Sequence, residues 1–535
     1  MIHACGLLLL LRSWPWPGAA TGCNQLTRIQ TSPASCSRAL SQTKIPSDPT
    51  SYEPEFNVFD RSITGRAPVA AVTPVTNNAA QPMNVAPGPG QTPETQVELP
   101  FNYGAAMYNF TSSTDVYFGV YAPNVTSPYA GTYNVEVAAS VDGWYHTYNA
   151  EDDANLIWVD SDAQGALLLT HNLTTSNDPS VQSAIINTMP FVMFASNQND
   201  SSANGLNYSY CGLRNYAQIQ GTKDGKFASM VHTGMTTRGP GGLPKQQFYF
   251  SGLNSSSSYM GILAMSGNKP GNGSLVGRAA GGVGGGGHVF RATNFATKTA
   301  TTSCSIIVNL TFCDQVAYAV PANYTNFPNA TALANWYDSS AKAQYDFFDK
   351  SLQQIPCEAP PDQKYSLVRG CHDCAAAYKD WLCSVMIPRC EDFSNPAPYL
   401  QPRAVLAPFS NGSTLAPAAL AGLGYRTDQM AFNASRNVLI DQWVAPGPYK
   451  EVLPCADLCF NLVQSCPASL GFACPTPGTV GFNTSYGLRQ STDGNADPTC
   501  NFPGSAHVFS AAGRTAVRLG VLGAAVVLAT VCSAL

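Results

Sequence analysis

The sequence predicts an α+β multi-domain protein, an all-β sandwich-like region followed by a helical, disulfide-rich domain. Three observations carry this. Between about Val97 and Ala322, short apolar–polar alternations recur between turn residues, as in half-buried strands. From Leu333 to Leu352, apolar residues return every three or four positions, as on one face of a helix. Ten cysteines then fall between Cys357 and Cys500, several at helical spacing.

The strand-like runs come first. Thr114 to Tyr121 alternates through Val116, Phe118 and Val120, and Tyr133 to Ala139 through Val135 and Val137. Further runs are Ala166 to Thr170, Phe191 to Phe194, Gln246 to Phe250, Met260 to Met265 and Ser303 to Leu310. With no long amphipathic helix among them, they predict a β-rich extracellular domain over residues 99–322, built as a sandwich or a pair of sandwiches. The glycine run Gly281 to Gly287 is not followed by Gly-Lys-Ser/Thr, so it is a hairpin loop rather than a phosphate loop. Cys304 and Cys313 are close enough to bridge a turn. Cys211 then needs a partner, with Cys23 and Cys36 as candidates.

A connecting helix is expected over 331–356, with Leu333, Tyr337, Ala341, Tyr345, Phe348 and Leu352 on one face and Pro356 as its stop. The cysteine-rich domain spans 357–503. Its cysteines are Cys357, Cys371, Cys374, Cys383, Cys390, Cys455, Cys459, Cys466, Cys474 and Cys500, an even set that five bridges among themselves would consume. Cys455, Cys459 and Cys466 line one helical face, and Cys374, Tyr378, Trp381, Leu382 and Val385 another. Short helices stapled by disulfides fit this better than a zinc ribbon, and such a domain needs an oxidising compartment. Residues 391–444 are rich in Pro and Ala, lack cysteine after Cys390 and read as a long insertion loop.

Composition agrees with export. Of 535 residues, 44% are hydrophobic and 11% charged, low against the ~25% charge of ordinary soluble domains. The net charge of −5 argues against nucleic-acid binding. Thirteen N-x-S/T sequons are candidate glycosylation sites: Asn109, Asn124, Asn172, Asn199, Asn207, Asn254, Asn272, Asn309, Asn323, Asn329, Asn411, Asn433 and Asn483.

The ends address the membrane. Residues 1–22 read as a signal peptide with the short apolar core Gly6 to Leu11 and small residues near Ala20. Residues 23–98 are Pro-rich and expected to be disordered. Residues 504–535 combine small residues, a polar spacer with Arg514 and Arg518, and the apolar tail Leu519 to Leu535. That is the pattern of a GPI-anchor signal, with Ser510, Gly513 and Gly504 as attachment candidates. The alternative is a retained C-terminal transmembrane helix.

Motifs for catalysis are absent: no G-x-S-x-G, H-E-x-x-H or P-loop. Neither a cofactor nor a catalytic residue nor a metal ligand is assigned. Glu151, Asp152, Asp153, Asp160 and Asp162 cluster and are read as a solvated loop. Asp160-x-Asp162 only weakly matches a calcium loop, because His171 stands where its closing Glu belongs.

Cys371-His372-Asp373-Cys374, the run Tyr378 to Cys390 and the run Gly447 to Cys459 strongly resemble the signature of the fungal stretch-activated calcium-channel subunits, the regulatory subunit of the fungal high-affinity calcium influx system. Asp60-Arg61-Ser62-Ile63 with Gly65-Arg66 resembles that family's N-terminal motif. The spacings Cys374-x8-Cys383-x6-Cys390 and Cys455-x3-Cys459-x6-Cys466 are also similar to those of the Frizzled cysteine-rich domain. The resemblance implies a non-enzymatic auxiliary subunit at the extracellular face of the plasma membrane. It would associate with a large four-repeat voltage-gated calcium-channel pore subunit and support calcium influx under stretch or stress. Trp381 and Tyr449 are the aromatic candidates for that contact, Tyr449 being the one expected at the surface in its turn after Pro448. The competing readings are a GPI-anchored ligand- or lipid-binding receptor domain and a cell-wall carbohydrate-active protein.

Overall fold

The computed structural model describes residues 101–107, 144–148, 154–201, 203, 205–221, 230–267, 286–357, 359–360, 364–489 and 499–504 (the side chains of Pro240 and Tyr425 excepted). It also describes the backbone of strands Leu7–Leu10, Leu26–Thr27, Glu53–Phe59, Val69–Pro74, Val97–Pro100, Val116–Tyr121 and Asn134–Ser140. The expected glycosylation sites Asn109, Asn124 and Asn272, the attachment candidates Ser510 and Gly513, the motif from Asp60 to Arg66, and nearly all of the two terminal segments lie outside the described residues.

The helices, in chain order, are α1 (Pro179–Ile186), α2 (Tyr210–Tyr216), α3 (Ala330–Leu352), α4 (Cys371–Met386), α5 (Pro417–Leu423), α6 (Met430–Asn433), α7 (Ala456–Ser465) and α8 (Val480–Asn483). The chain makes two compact units that interleave along the sequence. One comprises Met1–Asn155, Thr188–Val231 and Tyr259–Thr293. The other comprises Leu156–Asn187, His232–Ser258 and Asn294–Leu535, so the strands before Ala322 are divided between the units and part of them share one with the cysteine-rich segment.

In the first unit, a sheet runs in the order Ile219–Gln220, Phe191–Asn197, Ser258–Met265, Gly287–Val289, His146–Tyr148, antiparallel except for the last, parallel pair. Phe194, Ile262, Ala264 and Val289 face Tyr210 and Leu213 of α2 across a buried core. The Ser209 hydroxyl caps α2 by accepting from the Gly212 N–H at 3.1 Å. Cys211 is buried in this helix.

In the second unit, Leu156–Ser161, Ala166–Thr170, Lys245–Phe250 and Val231–Thr236 form a four-stranded sheet in that order. All five residues of Ala166–Thr170 are buried. Its run Ala-Leu-Leu-Leu-Thr is continuous rather than alternating because both faces of the strand are covered. A hairpin pairs Cys304–Ile307 with Tyr318–Pro321, and a three-stranded antiparallel sheet takes the order Arg389–Glu391, Tyr449–Val452, Leu400–Arg403.

The expected connecting helix is α3. The Asn329 side chain caps it by accepting from the Thr331 N–H at 2.8 Å, and its stripe Leu333, Ala334, Tyr337, Ala341, Phe348, Leu352 is buried. Asp338, on that buried face, accepts from the N–H groups of Thr311, Phe312 and Cys313 at 2.7–2.9 Å and so docks the turn before Cys313 on the helix. Tyr378 of α4 stacks on Phe348 of α3 with ring centroids 3.7 Å apart.

Six disulfides staple this unit: Cys304–Cys390, Cys313–Cys383, Cys357–Cys371, Cys374–Cys466, Cys455–Cys500 and Cys459–Cys474. All ten expected cysteines are bridged, but not by five bridges among themselves. Cys304 and Cys313 do not pair across their turn. They reach Cys390 and Cys383 instead, across sequence separations of 86 and 70. The spacing Cys304-x8-Cys313 suited a local bridge, but Asp338 turns Cys313 toward α3 and α4, and the register of the hairpin turns Cys304 toward the strand of Cys390.

The expected insertion loop 391–444 is folded as well. It supplies Leu400–Arg403 to the three-stranded sheet, then α5, α6 and a π-helical turn over Ile440–Val444. Its Pro and Ala content hides an apolar cluster of Val405, Leu415 and Phe432.

Opening either long-range bridge removes a loop closure worth about 4–5 kcal/mol on the chain-entropy account. Cys313→Ser and Cys390→Ser are each expected to drop secretion sharply. Peptide mapping without reduction is expected to recover Cys304 joined to Cys390; recovery of Cys304 joined to Cys313 would refute this pairing.

Candidate functional site

The acidic cluster read as a solvated loop is in part a buried ionic core. Asp160 and Asp162 are 1% and 5% exposed. Asp160 accepts from Lys298 Nζ at 2.7 Å, Arg389 Nε at 2.9 Å and the N–H groups of Ser161 and Ala319 at 2.8 and 3.2 Å. Lys298 also lies 3.6 Å from Glu391. Asp162 accepts from the N–H groups of Gln164, Gly165 and Ile306, closing the turn between two strands. With four protein donors on Asp160 and three on Asp162, these carboxylates are structural. Glu151, Asp152 and Asp153 lie outside the described residues, and among the described residues no cluster of His, Cys, Asp and Glu could hold a metal ion.

A second charged centre fixes the segment before α7. Glu451, fully buried, accepts from Arg403 Nε at 2.6 Å and Arg436 Nε at 2.7 Å. Arg403 donates onward to the carbonyls of Ala431 and Thr484, and Arg436 to that of Ser485. One carboxylate thus ties the three-stranded sheet to α6 and to the end of α8.

Burial alone would raise the pKa of Asp160 and Glu451, but their cations outweigh it and hold both below the ordinary carboxylate range. Groups with depressed folded-state values contribute stability that is present above the unfolded value, near pH 4, and lost as pH falls through the folded value. Thermal stability is therefore expected to hold from neutral pH down to about pH 4.5 and to decline below it. Glu451→Gln should flatten that decline while costing about 3–5 kcal/mol at neutral pH, because two buried guanidinium groups lose their counterion. Scanning calorimetry across pH checks both.

The aromatic candidates fall otherwise than expected. Tyr449 is fully buried and packs with Leu167, Leu169, Ile306 and Ala319, and burial pushes its hydroxyl pKa well up. The turn before it is covered too. Gly447 has φ 79°, and a Cβ there would stand 2.6 Å from the Pro408 carbonyl oxygen, so only glycine fits. Tyr449 is core, not the surface anchor expected of a Pro-flanked turn, because the chain over Pro408 and Phe409 covers that turn. Trp381 is half-buried among Cys374, Tyr378 and Cys459 and donates from Nε1 to the Tyr486 hydroxyl at 2.9 Å. It joins two parts of the helical core.

Among the described residues the aromatic side chains more than half exposed are Tyr103, Phe347 and Trp443, and the tryptophan, 63% exposed, is the largest of them. Its base is rigid. On the same π-helical turn Ile440 and Val444 are fully buried, and Asn323 and Asn326 donate from Nδ2 to the carbonyls of Ala445 and Val444 at 2.8 and 3.0 Å. Val438, half exposed, stands five residues before it. The signal in the sequence was the pair Ile440 and Val444 flanking a tryptophan, concealed by the loop-like composition around it.

Among the described sequons, Asn172, Asn199, Asn254, Asn309, Asn329, Asn411 and Asn483 are exposed, Asn207 and Asn433 half-buried, and Asn323 buried. The Asn323 amide nitrogen is committed to Ala445, the atom a glycan would need. Glycopeptide mapping is expected to find Asn323 bare and Asn411 occupied; a glycan on Asn323 of the folded, secreted protein would refute its role as a clamp. Gly504, the remaining attachment candidate, packs against Gly239 at the end of the described chain. Among the described residues no helix is long and apolar enough to cross a membrane.

What emerges is a disulfide-clamped scaffold whose buried carboxylates are structural. The chain belongs to the Mid1 family of stretch-activated Ca2+-permeable channel components, which it matches over residues 68–506. It is 37% identical over 371 residues to the stretch-activated cation channel yam8 of Schizosaccharomyces pombe, covering 69% of this chain and 64% of that protein. It is 30% identical over 372 residues to the stretch-activated cation channel MID1 of Saccharomyces cerevisiae, covering 66% of this chain and 60% of that one. The match to its Cryptococcus neoformans namesake is 27% over 225 residues, covering 38% of this chain and 34% of that protein. The matched region thus spans somewhat under two thirds of the length of the first two curated relatives.

Proposed function

We propose that this chain is an auxiliary, extracellular subunit of a plasma-membrane calcium channel, and that it acts by docking on a large four-repeat pore-forming subunit. The observation that carries the reading is Trp443, a large aromatic side chain held in solvent on a rigid base. Tryptophan is prominent among the residues that dominate protein interfaces, and a pre-ordered surface loses little entropy on binding. Membership of a family of channel components supplies the setting. The names of the relatives support stretch as the stimulus, and the family description supports calcium as the permeant ion.

The finer organisation follows the sequence reading. Residues 1–22 would direct export, 504–535 would carry a GPI anchor, and the sequons other than Asn323 would be glycosylated on the extracellular side. The helical part, with α4 tied to the end of α7 by Cys374–Cys466, supports a Frizzled-like architecture, and the sheets before it a sandwich-like one.

Trp443→Ala is expected to weaken co-purification of the pore subunit about 30-fold or more, the effect of losing an interface hot spot of 2 kcal/mol, with secretion and thermal stability unchanged. Tyr449→Ala should instead reduce secretion itself. Wild-type association and calcium influx with Trp443→Ala would remove Trp443 from the interface.

A further inference from the structure

Buried charges in a folded protein are paired, because an isolated one forfeits its hydration. The other buried cations among the described residues obey this. Lys298 and Arg389 meet Asp160, and Arg403 meets Glu451. Arg238 and Lys245 do not. They are 8% and 7% exposed and bracket the connection between strands Val231–Thr236 and Lys245–Phe250. Among the described residues neither has a carboxylate at ion-pair distance. Arg238 Nη2 donates to Gln247 Oε1, and Lys245 Nζ donates to the carbonyls of Arg238 at 2.6 Å and Leu243 at 3.3 Å. Every one of these acceptors is neutral.

Burial lowers the Arg238 pKa to about 10, which leaves the guanidinium charged at neutral pH. Burial, and then the nearby Arg238 charge, also lowers the pKa of Lys245. Arg238 lines a cavity of about 20 Å³ together with Gln315, Tyr318, Arg389, Phe502 and Gly504. The Arg389 charge is already answered by Asp160, so the net charge beside the cavity is positive. A space of this size admits a water-sized or monatomic occupant.

We propose that Arg238 holds a chloride ion at this cavity, with the Lys245 ammonium adding its charge from the Arg238 carbonyl behind it, as the counterion that the described residues do not provide. The site would be structural. It would secure the Arg238–Lys245 connection against Gln315, whose Oε1 accepts from the Gly239 N–H at 2.9 Å, and against the chain that follows Cys500.

The test uses the purified full-length glycoprotein. Its unfolding midpoint is expected to rise by about 2–4 °C when sodium chloride replaces sodium gluconate at equal ionic strength. Chloride resonance should show excess line broadening that bromide displaces. Arg238→Gln should abolish the chloride dependence of the midpoint and Lys245→Met should weaken it, whatever their effect on the midpoint itself. Should either variant fail to fold, the two measurements on the wild type still decide. Equal midpoints in both salts, absence of excess broadening, or chloride dependence that survives Arg238→Gln would each overturn the proposal.

Discussion

Three consecutive residues join the two halves of the larger unit. Arg389 meets the buried carboxylate of Asp160, Cys390 is bonded to Cys304, and Glu391 lies within reach of Lys298. A strand of three residues would hold little by its ladder alone. Here it carries a covalent bond and two charges whose desolvation is offset only when the strand sits in this register. A one-residue slip would turn Arg389 and Glu391 to the opposite face and leave Asp160 and Lys298 without them. The strand Tyr449–Val452 then pairs with it, and Leu400–Arg403 pairs with that strand in turn.

The same device recurs wherever a segment without regular structure has to be held. Asp338 gathers three backbone N–H groups in front of Cys313, and Glu451 gathers two arginines that reach on to α6 and the end of α8. A carboxylate buried beside donors from several segments is expensive to leave and so defines one arrangement. That matters for function. A docking subunit is useful if its surface is already in place, and Trp443 is in place because Ile440, Val444, Asn323 and Asn326 hold the turn beneath it. The charges that fail to follow the pattern, Arg238 and Lys245, stand out for that reason.

Part of the candidate site was legible in the sequence and part was not. Trp381 was correctly placed on a helix, yet a tryptophan on a helical stripe serves a core or an interface equally well. Its hydrogen bond to Tyr486, 105 residues away, decides for the core. Tyr449 looked exposed because Gly447-Pro448 marks a turn and turns usually lie at the surface. Nothing local announced that Pro408 and Phe409 would close over it. Trp443 was passed over because Pro- and Ala-rich composition suggested a loop, and the long-range pairing of Leu400–Arg403 with Tyr449–Val452 that orders this segment has no local signature.

By itself the sequence determined what depends on neighbours along the chain. The buried stripe of α3, the helices around Cys374 and Cys459, the runs at Ala166, Phe191 and Gln246, and the family signature all follow from spacing of a few residues. The tertiary structure alone decided the bonds that span many tens of residues. Cysteine chemistry is the same at Cys313 and Cys371, and each has a nearer cysteine along the chain than the one it bonds, Cys304 and Cys374. Cys371 takes Cys357, 14 residues away, whereas Cys313 takes Cys383, 70 residues away. Geometry makes that choice, since a disulfide forms between thiols that the folded backbone brings together. The acidic residues divide in the same way. Asp160 and Asp162 read as solvated in the sequence because aspartate usually is, and they are buried because cations and N–H donors from distant segments arrive to meet them.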